Sequence, residues 1–174
     1  MSERRKKIDA SNRNVRLVGN PKSAQNRLRG ELYKEAFDRI EKGIKEDRYF
    51  EVIFLADSII ADRTQSLVQT ILHGEQEQYG FVGVGLAIEV LYSESKSKGI
   101  NLGKKYRALM REIEEWLPNR NVAAHAFVVV NADNIDCGVP ERIEALRETA
   151  IQGARLARDF TDSTDKIIKE LKQD

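Results

Sequence analysis

The segment 120–125 combines three side chains that together can act on a phosphodiester. It reads Arg-Asn-Val-Ala-Ala-His and places a guanidinium, a carboxamide and an imidazole within six residues. Arginine can hold two phosphate oxygens at once through its planar fork of N–H donors, and histidine exchanges a proton near neutral pH. RNA supplies its own nucleophile, the 2′-hydroxyl, so a phosphate clamp and a proton-transfer group are sufficient for its cleavage.

A proline just before this segment predicts how it is presented. Pro118 follows an apolar helical pattern, and proline is tolerated in a first helical turn but damaging inside a helix. We therefore expect a new helix start or a sharp kink at 117–119. Arg120 and Asn121 would then lie in a first turn, where unpaired amides and the helix dipole attract phosphate. Asn121 shares a helical face with His125 and can orient the imidazole or a phosphate oxygen.

The same residues have a purely structural interpretation. His125 would be a hydrogen-bonded core histidine, Arg120 a surface or capping residue, and Asn121 a helix-start residue. His73, beside Gly74, is expected to interact with the negative end of a helix dipole rather than to catalyse.

Three further charged residues are secondary candidates for the site. Asp57 and Arg63 project into otherwise apolar sectors of one predicted helix, on opposite sides, and a buried charge is costly unless it is paired or used. Asp62 lies on the polar stripe of the same helix, which we expect to be solvated. Each also has an ordinary structural role available, since Asp57 can accept a core hydrogen bond and the long Arg63 side chain can reach solvent.

Apolar residues at three- and four-residue spacings predict an all-α fold, an up-and-down bundle of five to six helices. The first helix, of about 22 residues capped by Ser23, carries an apolar stripe of Leu28, Leu32, Ala36, Phe37, Ile40 and Ile44. The second, from about Tyr49 to Leu72, is the most hydrophobic and should be central. The remaining predicted elements are a helix at 81–92, a polar loop at 93–99, a helix from Leu102 and a long final helix from Pro140.

Two apolar stretches leave a choice between helix and strand. The glycine-containing stretch 80–92 fits either a buried strand or a helix, and its helical period favours helix. Residues 127–130 have strand propensity, but no second strong strand is present to pair with them, so helix is favoured there too.

Composition limits the class of protein. The chain has 174 residues with 41% hydrophobic and 33% charged side chains, which fits one helical domain at 23–174. It has no apolar run of the roughly 18 residues that span a bilayer and no apolar signal core at its N-terminus, so we expect no membrane contact and a cytoplasmic location. Cys137 is the single cysteine, which excludes an internal disulfide and a cysteine-based zinc site.

Residues 1–22 differ in charge from the rest of the chain. They hold seven basic and two acidic residues, a net charge of +5, which leaves about −4 for the remainder of a chain whose total is +1. A basic arm of this kind can contact RNA phosphates, here through Arg4, Arg5, Lys6 and Lys7. A flexible tail that only improves solubility is an equally good interpretation.

Glu115-Trp116, followed by Arg120-Asn121 and His125, resembles the signature of the HEPN superfamily of helical domains, whose ribonuclease members place an Arg and a His four to six residues apart. Here four residues separate them. Asp62-Arg63 resembles polar residues that some members carry on the second helix. Members paired with a nucleotidyltransferase antitoxin have a tyrosine two residues after the histidine, where this chain has Phe127. The resemblance implies a homodimer with a shared site and no cofactor or metal.

On a regular helix Arg120 and His125 point about 140° apart, so one chain does not aim both at one phosphate. A symmetric dimer would bring two such sets into one cleft. We therefore expect an endoribonuclease that leaves a 2′,3′-cyclic phosphate on single-stranded or looped RNA, of which tRNA is one candidate. Toxin–antitoxin, stress or phage-defence roles follow from the resemblance, with an antitoxin or inhibitor protein as partner. The alternatives are a non-catalytic HEPN-like module that binds a protein, nucleotide or RNA, and an RNA-binding adaptor that acts through its tail.

Overall fold

The computed structural model describes residues 24–72, 83–126 and 138–173, without the side chains of residues 24–26 and 124–126. Several predictions fall outside this part of the chain: the tail with Arg4, Arg5, Lys6 and Lys7, His73, the stretch 127–130, and Cys137. The described residues form five α-helices and no strand, so the predicted all-α bundle is confirmed. The helices are α1 (Ala24–Lys45), α2 (Tyr49–Ile71), α3 (Val84–Ser97), α4 (Gly103–Ala126) and α5 (Val139–Leu171).

The helix directions follow from contacts between particular side chains. Arg29 of α1 meets Asp62 of α2, while Gly43 lies against Val52, so these two helices are antiparallel. Helices α2 and α5 are parallel, because Ala56 meets Gly153 and Arg63 meets Asp165. Helix α4 runs against α5, with Trp116 beside Thr149 and Tyr106 beside Thr164.

Helix α3 is joined to α4 by a short connection, and Gly85 near its start faces Leu117 in the second half of α4. The two helices are therefore antiparallel, and α3 runs in the same direction as α2. The chain therefore reverses direction between α1 and α2, between α3 and α4 and between α4 and α5, and keeps its direction between α2 and α3.

Helix α2 is the centre of the bundle, as its apolar composition predicts. It packs on α1, α3, α4 and α5, and its inward side chains are almost fully buried. Its polar stripe is only partly solvated, because Ser66 and Gln69 are buried. The prediction of a fully solvated stripe is therefore wrong at these two residues.

Helix α1 buries fewer apolar side chains than its predicted apolar stripe contains. Ile40 is buried, but Leu28 and Leu32 are exposed. Three successive steps of four residues rotate a helical stripe by about 120°, so Leu28 cannot share a face with Ile40. The inward face of this half of α1 is formed by Arg29 and Tyr33 instead.

Helix α4 continues without interruption through Pro118, so the predicted new helix start at 117–119 is wrong. Proline removes one backbone N–H and leaves the carbonyl four residues earlier without its helical partner, at a cost of about 3 kcal/mol. Pro118 and Glu114 are both exposed, so water can reach that carbonyl. The buried Trp116 and Ala123 on either side keep both halves of α4 packed on the bundle.

The predicted polar loop at 93–99 is also shorter than expected, since α3 continues to Ser97. Ser95 is buried and its hydroxyl donates a hydrogen bond to the Tyr92 carbonyl. Within the described ranges, no helix is long and apolar enough to cross a membrane.

The contact between Trp116 and Gly153 joins α4 to α5. The Trp116 indole is fully buried and its N–H donates to the Thr149 carbonyl at 2.9 Å. A Cβ placed on Gly153 would lie 2.6 Å from the Trp116 Cζ2 atom and 3.3 Å from the Ala56 Cβ atom. The absence of a side chain at Gly153 is therefore what allows the indole to sit between the three helices.

Gly153→Ala is expected to destabilise the protein by up to about 2 kcal/mol. The overpacking cost of about 1–3 kcal/mol exceeds the gain in helix propensity of about 1 kcal/mol. Gly30→Ala is the matched control: a Cβ there meets nothing within 4 Å, so the same substitution in α1 should stabilise by about 0.5–1 kcal/mol. Urea unfolding of both variants measures the two effects, and a Gly153→Ala protein as stable as Gly30→Ala would contradict this packing.

Candidate active site

Arg120 on α4 forms an ion pair with Asp57 on α2. Its Nη2 atom lies 2.9 Å from the Asp57 Oδ1 atom, and the two side chains are 27% and 26% exposed. The pair is thus at the edge of the core, open to solvent on one side. Of the secondary candidates predicted from the sequence, Asp57 is the one that contacts Arg120.

The pair is close in distance but incomplete in hydrogen bonding. Among the residues that the structure describes, Asp57 Oδ1 and Arg120 Nε are buried without a hydrogen-bond partner. The 2.9 Å approach therefore gives Coulombic attraction without the alignment of a hydrogen bond. The Arg120 Nε atom is out of reach of solvent, but a guanidinium has five N–H donors and 27% of the side chain is exposed, so its outer part can meet a second anion.

The environment of Asp57 favours its neutral form. Burial raises the pKa of the Asp57 carboxyl group, and the positive charge of Arg120 opposes this shift without cancelling it. Both influences are expected from their physics: burial penalises the charged carboxylate, and a nearby cation favours it. The carboxylate consequently depends on Arg120 for much of its stabilisation.

Asn121 and His125 follow Arg120 on the same helix. Asn121 is exposed, and His125 belongs to the last turn of α4, its side chain lying outside the described part. Because α4 is continuous, Arg120 and Asn121 are not in a first turn, and the predicted attraction of phosphate by the positive helix end is wrong. The negative end of the dipole lies near His125 instead, so any attraction for phosphate must come from side chains.

The continuous helix also fixes the relative placement of Arg120 and His125. Five residues along an α-helix correspond to about 140° of rotation and about 7.5 Å of rise. Both positions belong to one uninterrupted helix, so the helix geometry from which the sequence predicts their divergence applies to them. A single copy of α4 does not point both at one phosphate.

Asp62 and Arg63 belong to a second polar cluster. Asp62 accepts hydrogen bonds from Arg29 Nη2, at 2.7 Å, and from the Tyr33 hydroxyl. Arg63 is only 9% exposed; its Nη1 atom donates to Asp165 Oδ1 at 2.5 Å, and its guanidinium lies 5.0 Å from the centre of the Tyr33 ring. These contacts connect α1, α2 and α5.

This second cluster lies on a different face of α2 from the Arg120 pair. Asp57 and Asp62 are five residues apart, which corresponds to about 140° around the helix. The positive charges of Arg29 and Arg63 are balanced by the negative charges of Asp62 and Asp165. Asp62 and Arg63 are thus built into the bundle, and the structure does not bring them to Arg120.

Arg29, Tyr33 and Asp165 were not among the predicted site residues. Their partners lie between 29 and 102 positions away in the sequence, so no local spacing indicates the contacts. The single available signal is the four-residue interval between Arg29 and Tyr33, which places them on one face of α1.

Arg120→Ala is expected to destabilise the protein by about 1–2 kcal/mol at pH 7, because it leaves a half-buried carboxylate without its cation. When the folded state raises the pKa of a carboxyl group, the folded protein becomes less stable as the pH rises through the range in which that group ionises. Removing Arg120 raises the pKa of Asp57 further. The loss should therefore be small at about pH 3 and below, where Asp57 is mostly protonated in both folded and unfolded states, and grow as the pH rises.

Urea unfolding of the wild type and Arg120→Ala at several pH values measures this dependence. Arg39→Ala is the matched control, since Arg39 pairs with Glu35 on the surface of α1 at 2.8 Å, where such pairs contribute little. A loss in Arg120→Ala that does not change with pH would contradict the role of Asp57.

Comparisons of this chain with known proteins gave no match. Its sequence matches no protein-family model. The curated proteins and the solved structures likewise give no significant match. The chemistry of the chain must therefore be derived from its own residues. The main observation is the pairing of Arg120, on the same helix as His125, with Asp57 of α2.

Proposed function

We propose that this protein is a metal-independent endoribonuclease of HEPN type, with Arg120, Asn121 and His125 as its catalytic residues. The observation that supports it best is the placement of Arg120. Its partly exposed guanidinium is held by Asp57 of α2, and Arg120 itself lies on α4, the helix that carries His125. Arg63 is only 9% exposed, whereas 27% of the Arg120 side chain is exposed, so a second anion can approach Arg120 from solvent.

The proposed reaction is cleavage by the RNA's own 2′-hydroxyl. His125 takes or delivers a proton, the 2′-oxygen forms a bond to phosphorus, and the bond to the 5′-oxygen of the next nucleotide breaks. The departing oxygen receives a proton, and the products are a 2′,3′-cyclic phosphate and a 5′-hydroxyl end. Arg120 stabilises the charge that develops on the phosphate oxygens.

Asp57 orients the guanidinium for this role. Its carboxylate contacts Nη2 from the α2 side, which limits the rotamers of a long side chain before RNA binds and lowers the entropy cost of positioning. Asn121, exposed beside Arg120, can donate its amide to the substrate or to His125 one turn later.

We infer that the active unit is a homodimer. Because Arg120 and His125 diverge by about 140°, a two-fold axis near the second half of α4 would let the arginine of one copy act with the histidine of the other. RNA, single-stranded or looped, is the proposed substrate. An antitoxin or inhibitor protein and a role in toxin–antitoxin, stress or phage-defence systems remain part of the proposal, with the cytoplasm as its location.

A second candidate function is supported by the same ion pair. The Asp57 carboxylate balances the charge of Arg120, as expected in a module whose polar residues maintain structure. Such a module would bind a protein, nucleotide or RNA without cleaving it. The two functions differ in one measurable property, the breaking of a phosphodiester bond.

The purified protein should cleave RNA in the presence of EDTA and leave 2′,3′-cyclic phosphate ends, which mass spectrometry of the products identifies. His125→Ala and Arg120→Ala should each lower the cleavage rate at least 100-fold, the order expected from losing proton transfer or a phosphate clamp. His73→Ala is the matched control and should retain the wild-type rate. Circular dichroism checks that each variant remains helical.

If the wild type and His125→Ala are equally inactive on several RNAs, including tRNA, the binding module becomes the better description. Equal cleavage by all the variants would point to a contaminating nuclease and would also remove support from the proposal.

Mixing two inactive variants tests the shared site. In a dimer that combines Arg120 of one copy with His125 of the other, a heterodimer of Arg120→Ala and His125→Ala contains one intact site. Co-folded mixtures should therefore recover activity, up to about one quarter of the wild-type rate, since half of the dimers are mixed and each has one of two sites. Full inactivity of the mixture, with heterodimers detected by native mass spectrometry, would show that each site lies within one chain.

A further inference from the structure

Phe54 on α2 is the most exposed of the large hydrophobic side chains in the described part of the chain, at 72%. It lies in the first half of α2, whose other apolar side chains mostly build the core. An aromatic ring left in water in the middle of a helix gains nothing for the fold, since its burial would be worth about 2–3 kcal/mol. The exposure of Phe54 therefore calls for another role.

The position of Phe54 relative to the Arg120 pair suggests that role. Phe54 precedes Asp57 by three residues, and residues so spaced are neighbours on a helix surface, with about 5–6 Å between their Cβ atoms. Asp57 in turn contacts the Arg120 guanidinium at 2.9 Å. An exposed ring and a half-exposed guanidinium thus lie within about one helical turn of each other.

Other exposed apolar residues lack this combination. Leu28 and Leu32 are on α1, beside the charge-balanced cluster of Arg29 and Asp62. Phe50 is less exposed than Phe54 and has contacts of its own. Phe54 alone, among the described aromatic residues, presents most of its ring to solvent next to the proposed phosphate clamp.

We propose that Phe54 is a stacking platform for an unpaired nucleobase of the RNA whose phosphate Arg120 holds. This inference rests on the proposed function and specifies its substrate. A flat ring beside a cationic clamp matches the two parts of a nucleotide, an aromatic base and an anionic phosphate. A base within a duplex is already stacked on both sides, so the platform selects single-stranded or looped RNA.

A second copy of the chain is the competing occupant of Phe54. Protein–protein contacts bury aromatic residues in a surround depleted of charge. The neighbours of Phe54 one turn away on α2 are Phe50, which is 45% exposed, and three polar residues, Glu51, Asp57 and Ser58. Three polar neighbours in four, with the Arg120 guanidinium on Asp57, fit a nucleotide better than an apolar protein surface. Oligomeric state must nevertheless be measured beside RNA binding.

The test measures binding in the full-length His125→Ala protein, so that RNA remains intact. The probe is an oligouridine RNA with one central 2-aminopurine, whose fluorescence falls when the base stacks on a ring. Adding Phe54→Ala should weaken binding by about 5- to 150-fold, the range for losing one stacked base, and abolish the fluorescence decrease. Phe54→Trp and Phe54→Tyr should restore both, whereas Phe54→Leu should restore neither. Leu32→Ala on α1 is the matched control and should change nothing.

Each outcome is decisive. Unchanged affinity and fluorescence in Phe54→Ala, in a protein that binds this RNA and whose active form cleaves RNA, would overturn the platform and leave the nuclease intact. Failure of all variants to bind, with no cleavage by the wild type, would overturn the proposed function and the platform together. A change of oligomeric state in Phe54→Ala, detected by light scattering, would assign the ring to a contact between copies and overturn the platform.

Discussion

The seating of Trp116 against Gly153 is the contact on which the candidate site depends. The indole occupies the space that a side chain on α5 would fill, and Ala56 of α2 lies against the same glycine, so three helices meet closely at Gly153. Asp57 follows Ala56 directly, and Arg120 follows Trp116 by one helical turn. The packing of an apolar ring thus determines that the carboxylate and the guanidinium meet. Close-packed interiors transmit small shifts because they have few voids to absorb them.

Arg63 and Arg120 differ in how deeply they are buried and in how many carboxylates they contact. Arg63 is more deeply buried and lies within a network that links Asp62, Asp165 and Tyr33 across three helices. Such a network compensates for the desolvation of its charges, and it holds the half of α1 where Leu28 and Leu32 contribute little burial. Arg120 contacts one carboxylate, and 27% of its side chain is exposed. Because both arginines have a buried Nε atom without a hydrogen-bond partner, the difference between them is the access of solvent to Arg120.

Helix positions that depend on the local spacing of apolar residues could be predicted from the sequence. Features that depend on contacts between distant residues could not. The bounds of α1 and α2, and the central place of α2, follow from apolar spacing. The prediction of a helix start at Pro118 is wrong because the burial of Trp116 and Ala123 on either side outweighs the cost of a proline inside the helix. Asp57 and Arg63 were recognised as charges that need partners, but the partners lie 63 and 102 positions away, beyond any spacing rule. The divergence of Arg120 and His125 could be predicted because it depends only on helix geometry.

Departures from the most stable arrangement are concentrated in one region. Within about two turns of α2 and one of α4 lie an exposed aromatic ring, a carboxyl group with a raised pKa and a guanidinium with an unused donor. Each costs stability, and each would be removed by an ordinary substitution. Sequences that fold well satisfy such groups except where they serve another purpose. Arg63 also has a buried Nε atom without a hydrogen-bond partner, so an unsatisfied donor does not by itself distinguish Arg120. What distinguishes the Arg120 pair is its partial exposure to solvent together with the exposed ring of Phe54 one turn before Asp57.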